Sequence, residues 1–229
     1  MQDSALVKKL NRVVVKRFLK FLDSEAKEDP EKYNEFYEKF SRFIKEGVVT
    51  DFDHKEALAK LLRFESSMTD SKETIGFEDY LARAKEDQDK IYYLITADRK
   101  TAEAGPYLEA FKARGIEVVY FFDAVDDYLI QNLREFKDKE LVSIDRADVE
   151  LDDSVEAEGE SLEEADTETL CSFMQDHFGD RVKKVAAGKR LIDSPVAVLT
   201  PEQGMTAQMR QMMKAMNPDE DAPPVEVEM

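Results

Sequence analysis

Three apolar runs at close intervals constrain this chain more than any other feature. "KIYYLIT" (90–96), "IEVVYFF" (116–122) and "ELVSI" (140–144) are continuous rather than alternating. A strand of this kind is buried on both faces, as in a parallel sheet covered by helices. The intervals between the runs carry helical patterns. "PYLEAFKARG" has Pro106 at its first helical position, Leu108 and Phe111 on one face and Gly115 as its stop. "AVDDYLIQNLREF" turns Val125, Leu129, Leu133 and Phe136 inward. With a short helix from Phe77 to Ala84, the order predicts right-handed crossovers and a small parallel three-layer α/β/α unit over 71–146.

The preceding seventy residues read as a helical bundle. Asp3 or Ser4 can cap a first helix whose apolar face is Leu6, Leu10, Val14, Phe18, Phe21 and Leu22. In "EDPEKYNEFYEKFSRFIKEG", Asp29 is the N-cap and Pro30 occupies N1. Tyr33, Phe36, Tyr37, Phe40, Phe43 and Ile44 form its expected buried stripe, and Gly47 its expected end. "HKEALAKLLRF" offers Leu58, Leu61, Leu62 and Phe64 as a third helix, with His54 on an exposed first turn.

Beyond the third run the composition changes. No Lys or Arg occurs from 147 to 180, where thirteen acids account for most of the net charge of -18. The stretch 147–166 therefore reads as a solvated acidic linker and hinge. Its spacing does not match a calcium-binding loop. A partial mixed α/β module follows over 167–229. Its helix uses Leu170, Phe173, Met174 and Phe178 and ends at Gly179. Two strands are expected at Val182–Ala186 and Val196–Leu199, with Asp193-Ser194-Pro195 turning between them. The closing "PPVEVEM" alternates like a strand but has no evident sheet partner, so the chain is expected to stop inside a domain.

"GMTAQMRQMMKAM" (204–216) stands apart. Met205, Met209, Met212, Met213 and Met216 fall on one helical face. Such a face is either a core stripe or an adaptable binding surface. The sixty residues around it offer little core, which favours the surface reading.

Catalytic chemistry is not legible. The turn after the first strand, "TADRKTAEAG", is neither a dinucleotide fingerprint nor a phosphate loop. One cysteine, Cys171, and two distant histidines, His54 and His177, form no zinc pattern. The acids around Cys171 disfavour a reactive thiolate and leave it a small packing residue. The acidic balance argues against nucleic acid and anionic membranes as partners.

Several stretches, taken together, resemble the heat-shock protein 90 family of molecular chaperones, in particular its bacterial and mitochondrial members. They are "QDSALVKKL", "EKYNEFYEKFSRFIKEGVVTDF", "LAKLLRFESS", "DKIYYLITADR", "GIEVVYFFDAVDDYLIQNLREFKDKELVSI", "GDRVKKV" and "RLIDSPVAVLT". The resemblance implies the rear of that family's middle domain (1–146) joined through the linker to the front of its C-terminal domain (167–229). It implies a truncation before the dimerisation helices of a homodimer. The ATP-binding domain and the arginine that reaches its phosphates would lie outside this chain. The chain would then be no enzyme and hold no cofactor, while the full-length protein would be an ATPase using ATP and magnesium. Non-native client proteins are the implied partners. The cytoplasm is the implied location, or the mitochondrial matrix for the mitochondrial branch. Implied client-contacting positions are Asp127, Tyr128 and Gln131, and the Met205–Met216 face matches a client-facing helix of the family. The competing reading is a free-standing acidic adaptor or α/β sensor domain.

Overall fold

The computed structural model describes residues 5–149, 151, 162–188, 190–201, 205–216 and 223–229. The expected cap at Asp3 or Ser4 and the centre of the acidic stretch lie outside them. The chain divides into two compact units, Met1–Asp89 with Val125–Leu141 and Lys90–Ala124 with Val142–Met229.

The first unit is built on α1 (Ala5–Glu28), α2 (Pro30–Thr50), α3 (Lys55–Ala59), α4 (Phe77–Arg83) and α7 (Asp126–Leu133). The Asp29 carboxylate accepts from Lys32 N at 3.2 Å, so the N-cap and Pro30 sit where expected. Gly47 does not end α2. It stays helical against the Leu58 side chain, and the helix runs on to Thr50. The core collects Tyr33, Tyr37, Ile44 and Val48 from α2, with Leu58, Leu61, Leu62, Phe64, Phe77 and Leu129. Phe77 joins Phe64 and Phe136, with ring centroids 4.5 and 5.2 Å apart. The Tyr33 hydroxyl donates to Leu61 O at 2.6 Å, and burial pushes its phenol up.

The expected stripes are corrected in part. On α1 the buried residues are Leu19, Leu22 and Ala26, while Leu6, Leu10, Val14, Phe18 and Phe21 are exposed. On α2, Phe40 and Phe43 are exposed. Both helices carry apolar residues around more than one face, so periodicity marks an apolar sector wider than the one buried within this unit.

The second unit holds β1 (Lys90–Ile95), α5 (Arg99–Ala104), a 3₁₀ turn (Pro106–Leu108), α6 (Glu109–Ala113) and β2 (Val119–Phe121). α5 falls in a stretch that reads as a turn; Asp98 starts it, accepting from Thr101 N at 2.7 Å. β1 and β2 are parallel, with Tyr93 opposite Val119 and Ile95 opposite Phe121. The four inner residues of β1 are buried, as its continuous apolar run requires. Gly115, at φ +63, stops α6 as expected. Tyr92, Leu94, Phe111, Val118, Tyr120 and Ile144 belong to one apolar cluster.

The chain leaves the first unit for the second along β4 (Lys139–Ser143). β3 (Glu135–Phe136) is antiparallel to β4 and corrects the extent of the helix before it. α7 stops at Leu133 because Arg134 turns left-handed at φ 57. Phe136 is still buried, but from a strand. Lys137 and Asp138, at φ 49 and 61, form the two-residue hairpin turn, whose twist matches the strands.

α8 (Glu164–Phe178) ends at Gly179, at φ +55. β5 (Val182–Ala186), β6 (Ala197–Leu199) and β7 (Val225–Glu228) form a three-stranded sheet of order β5-β7-β6. The closing strand therefore has partners and is central: parallel to β5 and antiparallel to β6. Val182, Val185 and Val227 form the local core, with Cys171, Met174 and Phe178 against it. Phe173, expected inward, is 66% exposed. The architecture is α/β, with helices and mixed sheets.

Candidate functional site

The methionine segment forms α9 (Ala207–Met216) in the second unit. Thr206 starts it, its hydroxyl accepting from Met209 N at 3.1 Å. Arg210 reaches back to Met205 O at 2.7 Å, which holds the entry to the helix. Met205 is 40% and Met216 75% exposed, while Met209 and Met213 are half-buried. The side chain of Met212 lies outside the described residues. The row is only partly covered. Unbranched, polarizable side chains on a polar-backed helix can repack against varied apolar shapes.

Asp127, Tyr128 and Gln131 lie in the first unit, on α7. Tyr128 is 57% exposed and Gln131 is exposed, but Asp127 is buried. Beside Asp127, buried Asp126 meets the Lys45 ammonium of α2 at 2.8 Å. The start of α7 is thus anchored by charge, and Tyr128 projects from a fixed base. The eight expected contact residues therefore form two sets in different units.

His54 starts α3 rather than lying open; its Nδ1 is 2.8 Å from Asp51 Oδ2. α1 and α3 border a groove of about 660 Å³ lined by Arg12, Lys16, Lys20, Asp53, His54 and Lys60, among others. Its charges are mixed, and Arg12 pairs with Asp53 at 3.3 Å. Among the described residues no group of three or more His, Cys, Asp or Glu is placed to hold a metal ion. No described helix is long and apolar enough to cross a membrane.

A polar assembly in the second unit was not legible in advance. Arg190 is buried, and its Nε is 2.8 Å from Glu228 Oε2. Nη1 donates to Arg146 O at 2.7 Å and Ile144 O at 3.3 Å. Nη2 donates to Val149 O at 3.1 Å and Ala147 O at 3.2 Å. Nearby, Glu109 accepts from Ile192 N, Asp193 N and Ser194 N at 2.9, 3.0 and 3.2 Å, and from the Ser194 hydroxyl. Burial alone would raise the Glu109 carboxyl, but these four donors outweigh it and hold it below the usual range. The only sequence signal for these contacts was the turn-forming Asp193-Ser194-Pro195.

The second unit thus carries the parallel β1-β2 pair, a small mixed sheet and a partly open methionine helix. The chain belongs to the Hsp90 protein family, whose model matches residues 1–225. It is 45% identical over 226 residues to the chaperone protein HtpG of Desulfitobacterium hafniense (strain Y51), covering 97% of this chain and 36% of that protein. It is 42% identical over 220 residues to the chaperone protein HtpG of Desulfotalea psychrophila, covering 94% and 35%. It is 36% identical over 223 residues to the mitochondrial TNF receptor-associated protein 1 homolog of Dictyostelium discoideum, covering 95% and 31%. The chain spans about a third of the length of these relatives.

Proposed function

We propose that this chain is the scaffold and client-binding part of a longer Hsp90-type chaperone that assists protein folding under stress. The observation that carries the reading is the α9 methionine row, with Met205 and Met216 exposed and Met209 and Met213 part-buried. Fully burying a methionine stabilises by about 1.5–3 kcal/mol, so an open row is retained at a cost that a transient apolar partner offsets. Met205, Met209, Met212, Met213 and Met216 form one contact surface, and Tyr128 and Gln131 a second. Asp127, buried beside the Asp126–Lys45 pair that anchors α7, lies beneath that second surface rather than on it. Non-native proteins are the partners, and the full-length protein is a homodimeric ATPase using ATP and magnesium. The exposed apolar sector of α1 supports a further part of that protein lying against it. The bacterial form acts in the cytoplasm and a mitochondrial form in the matrix.

The deciding experiment replaces Met205, Met209 and Met212 by serine in the full-length protein and measures suppression of client aggregation per folded molecule. A loss with unchanged thermal stability is expected. Lower stability with unchanged client binding would show the row to be core. Titration of this chain with ATP and magnesium should give no micromolar binding; such binding would overturn the non-enzymatic reading.

A further inference from the structure

The second unit contains two apolar clusters with no residue in common. One is centred on Tyr92, Phe111 and Ile144, the other on Val182, Val185 and Val227. The segment 190–196, which leads into β6, runs between them, and its ties are largely polar. Arg190 uses all five guanidinium N–H groups: one on Glu228 of β7 and four on the carbonyls of residues 144, 146, 147 and 149. Glu109, at the start of α6, gathers the three amides of Ile192, Asp193 and Ser194. The Tyr107 hydroxyl donates to Val198 O at 2.7 Å. Thr200 N donates to Asp145 O at 2.8 Å, and Ala147 N to Thr200 O at 2.9 Å.

We propose that Arg190 and Glu109 form a two-point latch, with the segment 190–196 as its strap, that sets the orientation of the β5-β7-β6 sheet against the β1-β2 sheet. Apolar contact between two cores tolerates sliding, because it has no direction. Five donors in one plane, each matched to a fixed acceptor, admit one orientation. A saturated polar network also fails as a unit, because a partly satisfied one leaves buried groups unpaired. The latch thus holds one pose firmly and releases it without disturbing either apolar core. Arg190 and Glu109 are positioning residues here, independent of the client-binding reading.

The test uses the whole chain with Cys171→Ala and spin labels at Lys112→Cys and Lys184→Cys, two exposed positions on α6 and β5. Pulsed dipolar spectroscopy should give one narrow distance distribution. Arg190→Met and Glu109→Ala should each broaden it. Amides at 190–196 should then exchange roughly 10- to 100-fold faster, as expected for the loss of a hydrogen bond to a charged group. Amides in β1 and β5 should keep their protection. Arg190→Lys should restore the distribution only in part, because an ammonium has three donors. An unchanged distribution in both Arg190→Met and Glu109→Ala overturns the proposal. So does an equal loss of protection in β1, which would make these residues general supports of stability. Should Arg190→Met fail to fold, Glu109→Ala decides alone, because that carboxylate can be removed without leaving a buried charge unpaired.

Discussion

Removing Asp126 should destabilise the first unit far more than removing the ion pair it belongs to. The Lys45 and Asp126 side chains are 8% and 1% exposed and meet at 2.8 Å. At an effective dielectric of about 20, that separation gives roughly 6 kcal/mol of gross attraction. Desolvation takes several kcal/mol per ion, so the intact pair contributes close to zero net. Asp126→Ala keeps the desolvation of Lys45 and deletes the carboxylate that meets it at 2.8 Å, an expected loss of about 3–5 kcal/mol. The double variant Lys45→Met/Asp126→Leu deletes both terms and should lie within about 2 kcal/mol of the parent. Urea unfolding of the parent, both single variants and the double variant completes the cycle. A loss under about 1 kcal/mol for Asp126→Ala would refute this account of the anchor.

Gly188→Ala should disrupt the Arg190 contacts, because an added Cβ would stand 1.7 Å from Glu228 Cγ and Oε1; faster exchange at 190–196 is the readout, and parental protection would show that Glu228 can move aside. Acid should free the same strap: the depressed Glu109 carboxyl contributes stability that is complete above the ordinary glutamate pKa of about 4.3 and lost as pH falls through its lower folded value. Amide protection at 192–194 should therefore be level from pH 7 to 5 and fall below about pH 4; a decline already complete at pH 5 would contradict the sign. Asp29→Ala should destabilise α2 by about 1 kcal/mol through loss of its N-cap, measured by thermal unfolding. Tyr128→Ala should weaken client protection in the full-length protein with little change in stability, since Tyr128 is 57% exposed.

The β1 and β2 runs were legible because their burial on both faces leaves no polar alternation to misread, and Asp29, Gly115 and Gly179 mark helix ends by local chemistry alone. Local chemistry also misled. The apolar sector of α1 has the right period, yet the unit buries only its Leu19, Leu22 and Ala26 portion. β7 looked partnerless because its neighbours, β5 and β6, are set by pairings across 27 to 43 residues of chain. Asp127 looked like a surface acid because nothing near it in sequence shows that its helix start is buried. The Arg190 site was hidden for a different reason: four of its acceptors are backbone carbonyls, which every residue type carries. The methionine row was visible as a face, but its degree of cover depends on packing that residue types do not encode.

The first unit is interrupted in sequence by Lys90–Ala124, and that interruption has a consequence for synthesis. Lys45 leaves the ribosome about 80 residues before Asp126, an interval of roughly 4–16 s at ordinary elongation rates. Throughout it, α2 lacks both the carboxylate that allows its lysine to be buried and the α7 leucine, Leu129, that closes its core. The helical segment therefore waits with an unclosed apolar face while β1 and β2 emerge. Slow codons or a ribosome-associated holdase acting between residues 50 and 125 would change its yield more than the same delay placed after residue 141.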